Sequence, residues 1–351
     1  MFIHAFEGMQ RERIRRESLK KENHCKFFIK PLDDALGGLM RSELVVIGAD
    51  SGIGKSELAN QLAFRNSANG KKVALISLEG DKDEVWRRLK FNHISQNYYR
   101  NKFWLNGHPM DMSYPNYVLG KIEDPIVNDL ENQAEAYINE KLSNRLFVFE
   151  KENMNDIDGI MKGLEMNIRS VYVQEPCEAN PFGVKEYRSE FDLIVIDHLH
   201  YFDNVSNDNE NIHTTRIMRE IKRYTEELST PVALISHLRK KTRDRGIPDI
   251  EDLHGTSNIA KISSTTILLT PCYSKYDYHT MVYPTFIRYA KSRAGIPQTL
   301  CALIDFDNKT KEYAENYDLY WVNPQGEPEM IQDDNYPFWA RKKKEAFYNK
   351  F

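Results

Sequence analysis

The fold of this chain is decided by one stretch, residues 43–56, which reads ELVVIGADSGIGKS. Its first half is a short apolar run that ends at Gly48, and its second half is a glycine-containing loop that closes on Lys55. Helical spacing of apolar side chains follows at once, at Leu58, Leu62 and Ala63. Strand, glycine loop and helix in this order are the context that a phosphate-binding loop requires. The stretch therefore predicts a site for a nucleoside triphosphate.

Each part of the loop has a separate role in holding phosphate. Backbone N–H groups of the loop can point at phosphate oxygens, and the helix N-terminus adds its positive dipole end. Lys55 can reach the β- and γ-phosphates, and the Ser56 hydroxyl can hold Mg²⁺. The predicted nucleotide-binding residues are Ala49, Asp50, Ser51, Gly52, Ile53, Gly54, Lys55 and Ser56, with Ala49 standing where the motif usually begins with glycine.

Composition indicates a folded protein of a reducing, aqueous compartment. The 351 residues are 41% hydrophobic and 28% charged, which is enough apolar material for a sizeable core. The four cysteines are scattered and form no Cys-x-x-Cys pair, so neither a zinc site nor a disulfide framework is indicated. The formal net charge of −4 argues against a globally basic nucleic-acid binder but permits a local basic track. No apolar run reaches membrane-spanning length, and a cytoplasmic location is expected.

Strand and helix patterns alternate along the chain, which predicts an α/β fold with a mainly parallel, twisted sheet covered by helices on both faces. Strands are predicted at 43–48, 73–79, 145–150, 191–197, 231–236, 265–270, 285–291 and 299–305. Helices are predicted at 6–22, 57–66, 81–97, 126–142, 155–168 and 213–229. The punctuation by Pro31 and Gly37-Gly38 predicts a linker over 27–38, residues 98–115 are expected to be irregular, and 171–190 is an unassigned insertion. The predicted division is a charged helical arm at 1–30, an ATPase domain at 31–322 and a tail at 323–351.

Polar side chains follow three of the predicted strands, at the edge where parallel sheets bind ligands. Asp197 ends the most apolar strand and has the form of a Walker B aspartate, which would hold Mg²⁺ beside Ser56. Glu79 can polarise the water that attacks a γ-phosphate. His237 can sense that phosphate by a hydrogen bond and transmit the signal to the adjoining loop.

A basic run and a small-residue loop follow His237 and predict contact with nucleic acid. Residues 239–245 hold five positive side chains and one aspartate, which suits a track for a phosphate backbone. The same run would equally be a solvated surface, and the sequence leaves both interpretations open. The predicted nucleic-acid-binding residues are Arg239, Lys240, Lys241, Arg243, Gly255, Thr256, Ser257 and Asn258.

The order and spacing of six motifs resemble the RecA-type ATPase domain of hexameric replicative helicases. This is the DnaB-like family, which includes phage primase–helicases and the mitochondrial Twinkle helicase. The resemblance runs from Leu32 to about Tyr313, most of the chain, and an alanine at the first loop position is also DnaB-like. Its motifs lie at 49–56, 77–79, 194–198, 235–238, 252–257 and 290–295.

The resemblance implies a role for each matching residue. Glu79 would be the catalytic base, Lys55 would stabilise the transferred phosphoryl group, and His237 would be the γ-phosphate sensor. Arg293 would be an arginine finger that reaches the nucleotide of the neighbouring subunit, with Lys291 beside it. The cofactors implied are ATP, or another nucleoside triphosphate, and Mg²⁺. The partners implied are single-stranded DNA, further copies of the chain in a ring that is expected to be hexameric, and a separate primase or polymerase, with no membrane. Only about thirty residues precede the domain, so neither a primase module nor a DnaB-type N-terminal domain is expected.

Two other functions share the same fold. A RecA-like recombinase, or another filament switched by ATP, would coat DNA instead of unwinding it. An oligomeric scaffold could bind ATP without turning it over, although Glu79 and Arg293 argue against that interpretation. The sequence favours a ring-forming, ATP-dependent DNA helicase that moves along single-stranded DNA in replication.

Overall fold

The computed structural model describes residues 4–21, 24–50, 54–79, 82–101, 112–122, 124–149, 156–174, 184–204, 208–239, 246–255, 257–277, 279–332 and 335–340. Its strands are β1 (Leu44–Ala49), β2 (Val73–Ser77), β3 (Leu146–Phe149), β4 (Ile168–Gln174), β5 (Val184–Ser189), β6 (Leu193–Asp197), β7 (Val232–His237), β8 (Thr265–Pro271), β9 (Val282–Lys291), β10 (Leu300–Asp307), β11 (Glu312–Val322) and β12 (Pro328–Met330). Its helices are α1 (Ala5–Lys21), α2 (Lys30–Leu36), α3 (Lys55–Ala68), α4 (Lys82–Arg100), α5 (Tyr114–Val118), α6 (Pro125–Leu142), α7 (Ile157–Glu165), α8 (Glu210–Glu227) and α9 (Asn258–Ile262).

One ten-stranded sheet, in the order β12-β11-β10-β9-β8-β1-β7-β6-β2-β3, carries the fold. The six strands from β8 to β3 are parallel, and the four from β9 to β12 continue the sheet as an antiparallel extension. This is the RecA-like architecture, and it confirms the predicted fold class.

Strand β1 shows why both faces of the sheet must be covered. Val45 and Ile47 pack into a core with α3, whereas Leu44 and Val46 pack into a second core with α8 on the opposite face. Successive side chains of a strand point to opposite faces, so a continuous apolar run demands helices on both sides. Each fully buried branched side chain contributes about 1.5–3 kcal/mol.

The prediction of a linker over 27–38 is wrong, because this segment contains helix α2. Pro31 lies in the first turn of that helix, and Gly37 ends it in the left-handed conformation with φ +77°. Proline at the start and glycine at the end are the ordinary signals of a helix. The sequence analysis had taken the same residues as loop punctuation.

Two further segments have structure that the sequence did not assign. The insertion at 171–190 contributes to an antiparallel hairpin of β4 and β5, separate from the main sheet. Residues 98–115 include the end of α4 and the start of α5, with 102–111 outside the described residues. In the predicted tail, β12 pairs with β11, and Ile331 and Tyr336 join the main core. The domain boundary at 322 stays a prediction.

Candidate nucleotide-binding site

Four neighbouring parallel strands end together and bring the predicted polar residues to one edge of the sheet. Ala49 of β1 is paired with His237 of β7, and Ser77 of β2 is paired with Asp197 of β6. Glu79 lies two residues beyond the end of β2. The carboxyl edge of the sheet therefore assembles the site from residues far apart in the chain, as the sequence predicted.

Lys55 is held at the start of α3 by the turn that precedes it. Gly54 takes the left-handed conformation with φ +82°, which a residue without a Cβ adopts at no steric cost. The buried Lys55 ammonium donates a hydrogen bond of 2.9 Å to the backbone carbonyl of Asp50. Burial lowers the pKa of Lys55, while the carboxylates of Glu79 and Asp197 act in the opposite direction. Residues 51–53 of the predicted loop lie outside the described residues.

Asp197 is a buried carboxylate with an unsatisfied oxygen. Burial raises its pKa to about 6, and the neighbouring Glu79 adds to the rise, whereas a hydrogen bond with Ser56 and the charge of Lys55 oppose it. Within the described residues, no group hydrogen-bonds to Asp197 Oδ1. An orphaned buried carboxylate oxygen beside a hydroxyl is an oxygen donor set that fits Mg²⁺.

Glu79 is exposed at the mouth of the site, where water can reach it. The phenolic hydroxyl of Tyr201 donates a 3.4 Å hydrogen bond to Glu79 Oε1 and so limits the directions the carboxylate can take. Sequence reasoning missed Tyr201, which lies four residues after Asp197. Its position in the turn after the Walker B strand was the available signal.

His237 is stacked on a second histidine that the sequence analysis did not single out. The ring centroids of His198 and His237 are 3.7 Å apart, and His198 is completely buried. Burial, followed by the nearby positive Lys55 and by His254, lowers the pKa of His237 to about 4. Burial likewise lowers the pKa of His198 to about 2, with further lowering from His237 and His200. Both rings are therefore neutral at pH 7.

An aromatic cavity of about 360 Å³ opens beside Gly54 and Lys55. It lies between α3 and the antiparallel extension of the sheet, and Arg88 and Lys311 add positive charge to its wall. A flat heterocyclic base fits a pocket of aromatic side chains, with polar groups at its edge. The sequence analysis missed this cavity, although tyrosines are frequent between residues 273 and 283; its aromatic lining is Tyr273, Tyr276, Tyr283, Phe306 and Tyr313.

The two loops predicted to bind nucleic acid are joined where the described residues begin and end. The Arg239 guanidinium donates a 3.0 Å hydrogen bond to the carbonyl of Gly255, and the backbone N–H of Arg239 donates to the carbonyl of Asp252. The backbone N–H of His254 donates to the carbonyl of His237. Lys240, Lys241, Arg243 and Thr256 lie outside the described residues.

The remaining two residues of the small-residue loop have different surroundings. Ser257 precedes α9 and is exposed. The Asn258 side chain donates to the Thr215 hydroxyl of α8 at 3.1 Å, so it anchors the loop to the body of the protein.

Lys291 and Arg293 lie at the other edge of the sheet. Strand β9 runs antiparallel to β8, and Lys291 is paired with Thr266 at the beginning of β8. The charge of Arg293 acts on Glu43, which directly precedes β1. Strand β1 spans six residues, or about 17–20 Å, so Arg293 is separated from the phosphate loop of its own chain by the length of the sheet.

Lys291 is engaged within its own chain. Its ammonium donates to the carbonyls of Ala260, Lys261 and Ser263, at 2.6, 3.0 and 2.6 Å. These carbonyls lie in and directly after α9, where a cation also complements the helix dipole. The contacts give Lys291 a structural role at the end of α9.

A RecA-like sheet with a lysine, a buried aspartate and a glutamate at its carboxyl edge defines a phosphate-loop nucleotide-binding protein. Residues 26–107 and 151–315 match the family described as the DnaB-like helicase C terminal domain, and the chain belongs to that family. This membership supports a helicase role.

Two solved structures are similar to the chain in fold. One is the ATPase domain of another protein, with a TM-score of 0.64 and 19% identity over 90% of this chain and 100% of that chain. The other belongs to a study of a DnaB-like replicative helicase and its interactions with primase, with a TM-score of 0.60 and 18% identity over 94% of this chain and 69% of that chain. A search of curated protein sequences gave no significant match. None of the helices in the described part of the chain combines the length and apolarity that crossing a membrane requires.

Proposed function

We propose that the protein is an ATP-dependent DNA helicase that works as a ring, expected to be hexameric, and moves along single-stranded DNA in replication. One observation carries this proposal: the phosphate-binding residues and Arg293 lie at opposite edges of the same sheet. A single chain therefore lacks the guanidinium that phosphoryl transfer commonly uses, and a neighbouring copy can supply it. Such a finger is worth about 10³–10⁵ in rate.

The residues at the carboxyl edge divide the chemistry of hydrolysis between them. Lys55 binds the β- and γ-phosphate oxygens of ATP, while the aromatic cavity beside it receives the base. Ser56 and Asp197 hold Mg²⁺, which would neutralise charge on the phosphates. Glu79, oriented by Tyr201, polarises the water that attacks the γ-phosphate. Arg293 of the adjacent copy stabilises the charge that develops on the transferred phosphoryl group.

A short path through His237 links hydrolysis to DNA. Its neutral ring can donate a hydrogen bond to the γ-phosphate, and its carbonyl accepts from the backbone of His254. The next residue, Gly255, accepts from Arg239 of the basic loop. Loss of the γ-phosphate would therefore change the environment of both DNA-contacting loops at once. These loops would hold the phosphate backbone of one strand.

Lys291 has a different proposed role from Arg293. The family resemblance places it beside the neighbouring nucleotide, but its three carbonyl contacts support a role in holding α9 behind the loop of Gly255. Arg293 alone is then the residue offered to the adjacent copy.

A phosphate-release assay with and without single-stranded DNA, followed by strand separation on a forked duplex, tests the proposal. Wild type should hydrolyse ATP, be stimulated by DNA and open the fork. Lys55→Ala should abolish turnover, whereas Lys121→Ala, at an exposed lysine outside the site, should behave as wild type. Turnover without any strand separation, together with helical filaments in electron micrographs, would instead support the recombinase-like function.

A further inference from the structure

Three side chains meet behind the DNA-contacting loop and take no part in the nucleotide site. His200 lies in the 3₁₀ turn Leu199–Tyr201 after β6, Glu210 opens helix α8, and His254 directly precedes Gly255. One potential ligand atom from each residue lies within 4.8 Å of those of the other two. His254 Nδ1 and Glu210 Oε1 are 3.8 Å apart, and the rings of His200 and His254 are perpendicular, with centroids 4.7 Å apart.

An exposed ion pair between His254 and Glu210 accounts for only part of this arrangement. Such surface pairs contribute about 0–1 kcal/mol and do not involve His200. The Nε2 atom of His200 is buried and has no hydrogen-bond partner within the described ranges. Buried polar atoms of this kind are rare in native proteins and call for a ligand, a water or an ion.

The backbone keeps His200 close to the loop. Gly255 has φ +94°, and a Cβ at that position would lie 3.2 Å from His200 Cε1. The glycine thus satisfies a left-handed conformation and leaves room for the imidazole ring. His200 is held between the turn after Asp197 and the loop that carries His254.

We propose that His200, Glu210 and His254 form a binding site for a divalent transition-metal ion of the Zn²⁺ class. Two imidazoles and one carboxylate form a known zinc ligand set, with a water in the fourth position. Metal–ligand bonds of about 2.0–2.2 Å require ligand atoms roughly 3.3 Å apart, so small side-chain rotations would close the set. Imidazole nitrogen favours Zn²⁺, Ni²⁺ or Cu²⁺, whereas the oxygen donors Ser56 and Asp197 favour Mg²⁺.

A bound ion would join three segments that are otherwise linked through the backbone and through packing. These are the turn after the Walker B strand, the start of α8 and the loop before Gly255. The expected effect of the metal is to fix the loop relative to the Walker B strand and to stabilise the folded chain by mass action.

Cobalt titration of the full chain, stripped with EDTA and free of nucleotide, tests the site. Four-coordinate Co²⁺ bound to imidazole absorbs visible light strongly, whereas six-coordinate Co²⁺ in an oxygen site absorbs weakly. We expect one equivalent of the strong band, displacement of Co²⁺ by Zn²⁺, and a Zn²⁺-dependent rise in melting temperature. His254→Asn and Glu210→Gln should each weaken binding by at least about 10–100-fold, since even outer-shell changes cost that much.

The variants were chosen so that folding does not obscure the result. The His254 and Glu210 side chains are 47% and 66% exposed, so their substitution leaves the core intact. His279→Asn, at an exposed histidine in the turn before β9, is the matched control and should bind as wild type. Absence of a saturable strong band in wild type would overturn the proposal. So would binding that survives in His254→Asn and disappears in Asp197→Asn, because the metal would then lie in the nucleotide site.

Discussion

At the scale of single residues, Asp197 shows how function is maintained against stability. Its pKa of about 6 exceeds the value of 3.8 that it has in an unfolded chain, and burial is the main cause. Above pH 6 the carboxylate is charged in both states, so folding must desolvate a charge that Lys55 compensates only in part. Each unit of pKa difference corresponds to about 1.4 kcal/mol.

We therefore predict that Asp197→Asn makes the free protein more stable while abolishing hydrolysis. The gain should be on the order of 2 kcal/mol at pH 7.5, because the amide removes the buried charge. Urea unfolding in EDTA measures it, and phosphate release in Mg²⁺ measures the loss of activity. Asp129→Asn, at an exposed position of α6, serves as the control. A loss of stability in Asp197→Asn would contradict this account of the site.

The buried histidines predict a second pH effect of the opposite sign. The pKa values of His198, His200 and His237 are lowered to about 2, 4 and 4, with burial as the first cause in each. Below pH 6.5 the unfolded chain binds protons that the folded chain excludes, so the free energy of unfolding falls with pH. Each excluded proton contributes a slope of about 1.4 kcal/mol per pH unit, partly offset by Asp197.

We expect stability to be greatest above pH 6.5 and to decline from there towards pH 4. The three rings lie against one another and will not take up protons independently. Urea unfolding at pH 7.5, 6 and 5, with EDTA present, gives the slope for wild type. His198→Gln should have a shallower slope, whereas the exposed His279→Gln should not; identical slopes in all three proteins would rule out this explanation.

At the scale of elements, the sequence predicts what depends on local pattern. The β1–loop–α3 unit, the Walker B strand and the sensor strand were predicted within about two residues, because each has strong periodicity and a defined polar end. Helix α2 was missed because Pro31 and Gly37 mark both helix ends and loops, and only the packing of Leu32 into the core distinguishes the two.

Contacts between distant segments could not be predicted in the same way. The histidine stack joins His198 to His237 across neighbouring strands, and the candidate metal ligands come from three separate segments. Nothing in the local sequence reports the 3.7 Å separation of the first pair. Strand β11 was missed for another reason: its first half is only partly buried and lacks the apolar run that marks a buried strand.

The end of α9 provides a prediction that separates two roles for neighbouring basic residues. Lys291→Ala should lower the free energy of unfolding by about 1–3 kcal/mol, because it leaves three carbonyls without a charged donor. Arg293→Ala should abolish hydrolysis with little change in protomer stability. Lys261→Ala, at an exposed position of α9, controls for loss of a lysine from this region. Unchanged stability in Lys291→Ala, with lost turnover, would return Lys291 to the nucleotide site.

At the scale of the whole molecule, the two edges of the sheet are complementary parts of one proposed site. The carboxyl edge binds the triphosphate, and the opposite edge presents Arg293. A head-to-tail arrangement repeats this contact from copy to copy and closes into a ring when the rotation permits. The basic loops can then gather around one strand of DNA, so a protein with a net charge of −4 can still bind a polyanion locally.

Mixing two inactive variants tests this shared site directly. Lys55→Ala has an intact Arg293, and Arg293→Ala has an intact phosphate loop. After subunit exchange at a one-to-one ratio, about a quarter of the interfaces in a head-to-tail assembly combine both intact halves. ATP hydrolysis should therefore return to a fraction of that order, whereas each variant alone stays inactive. Mixing Lys55→Ala with Asp197→Asn should restore nothing, because both changes damage the same half of the site. Failure of the first mixture to recover hydrolysis, with mixed assemblies demonstrated by mass spectrometry, would show that Arg293 does not act on the neighbouring nucleotide.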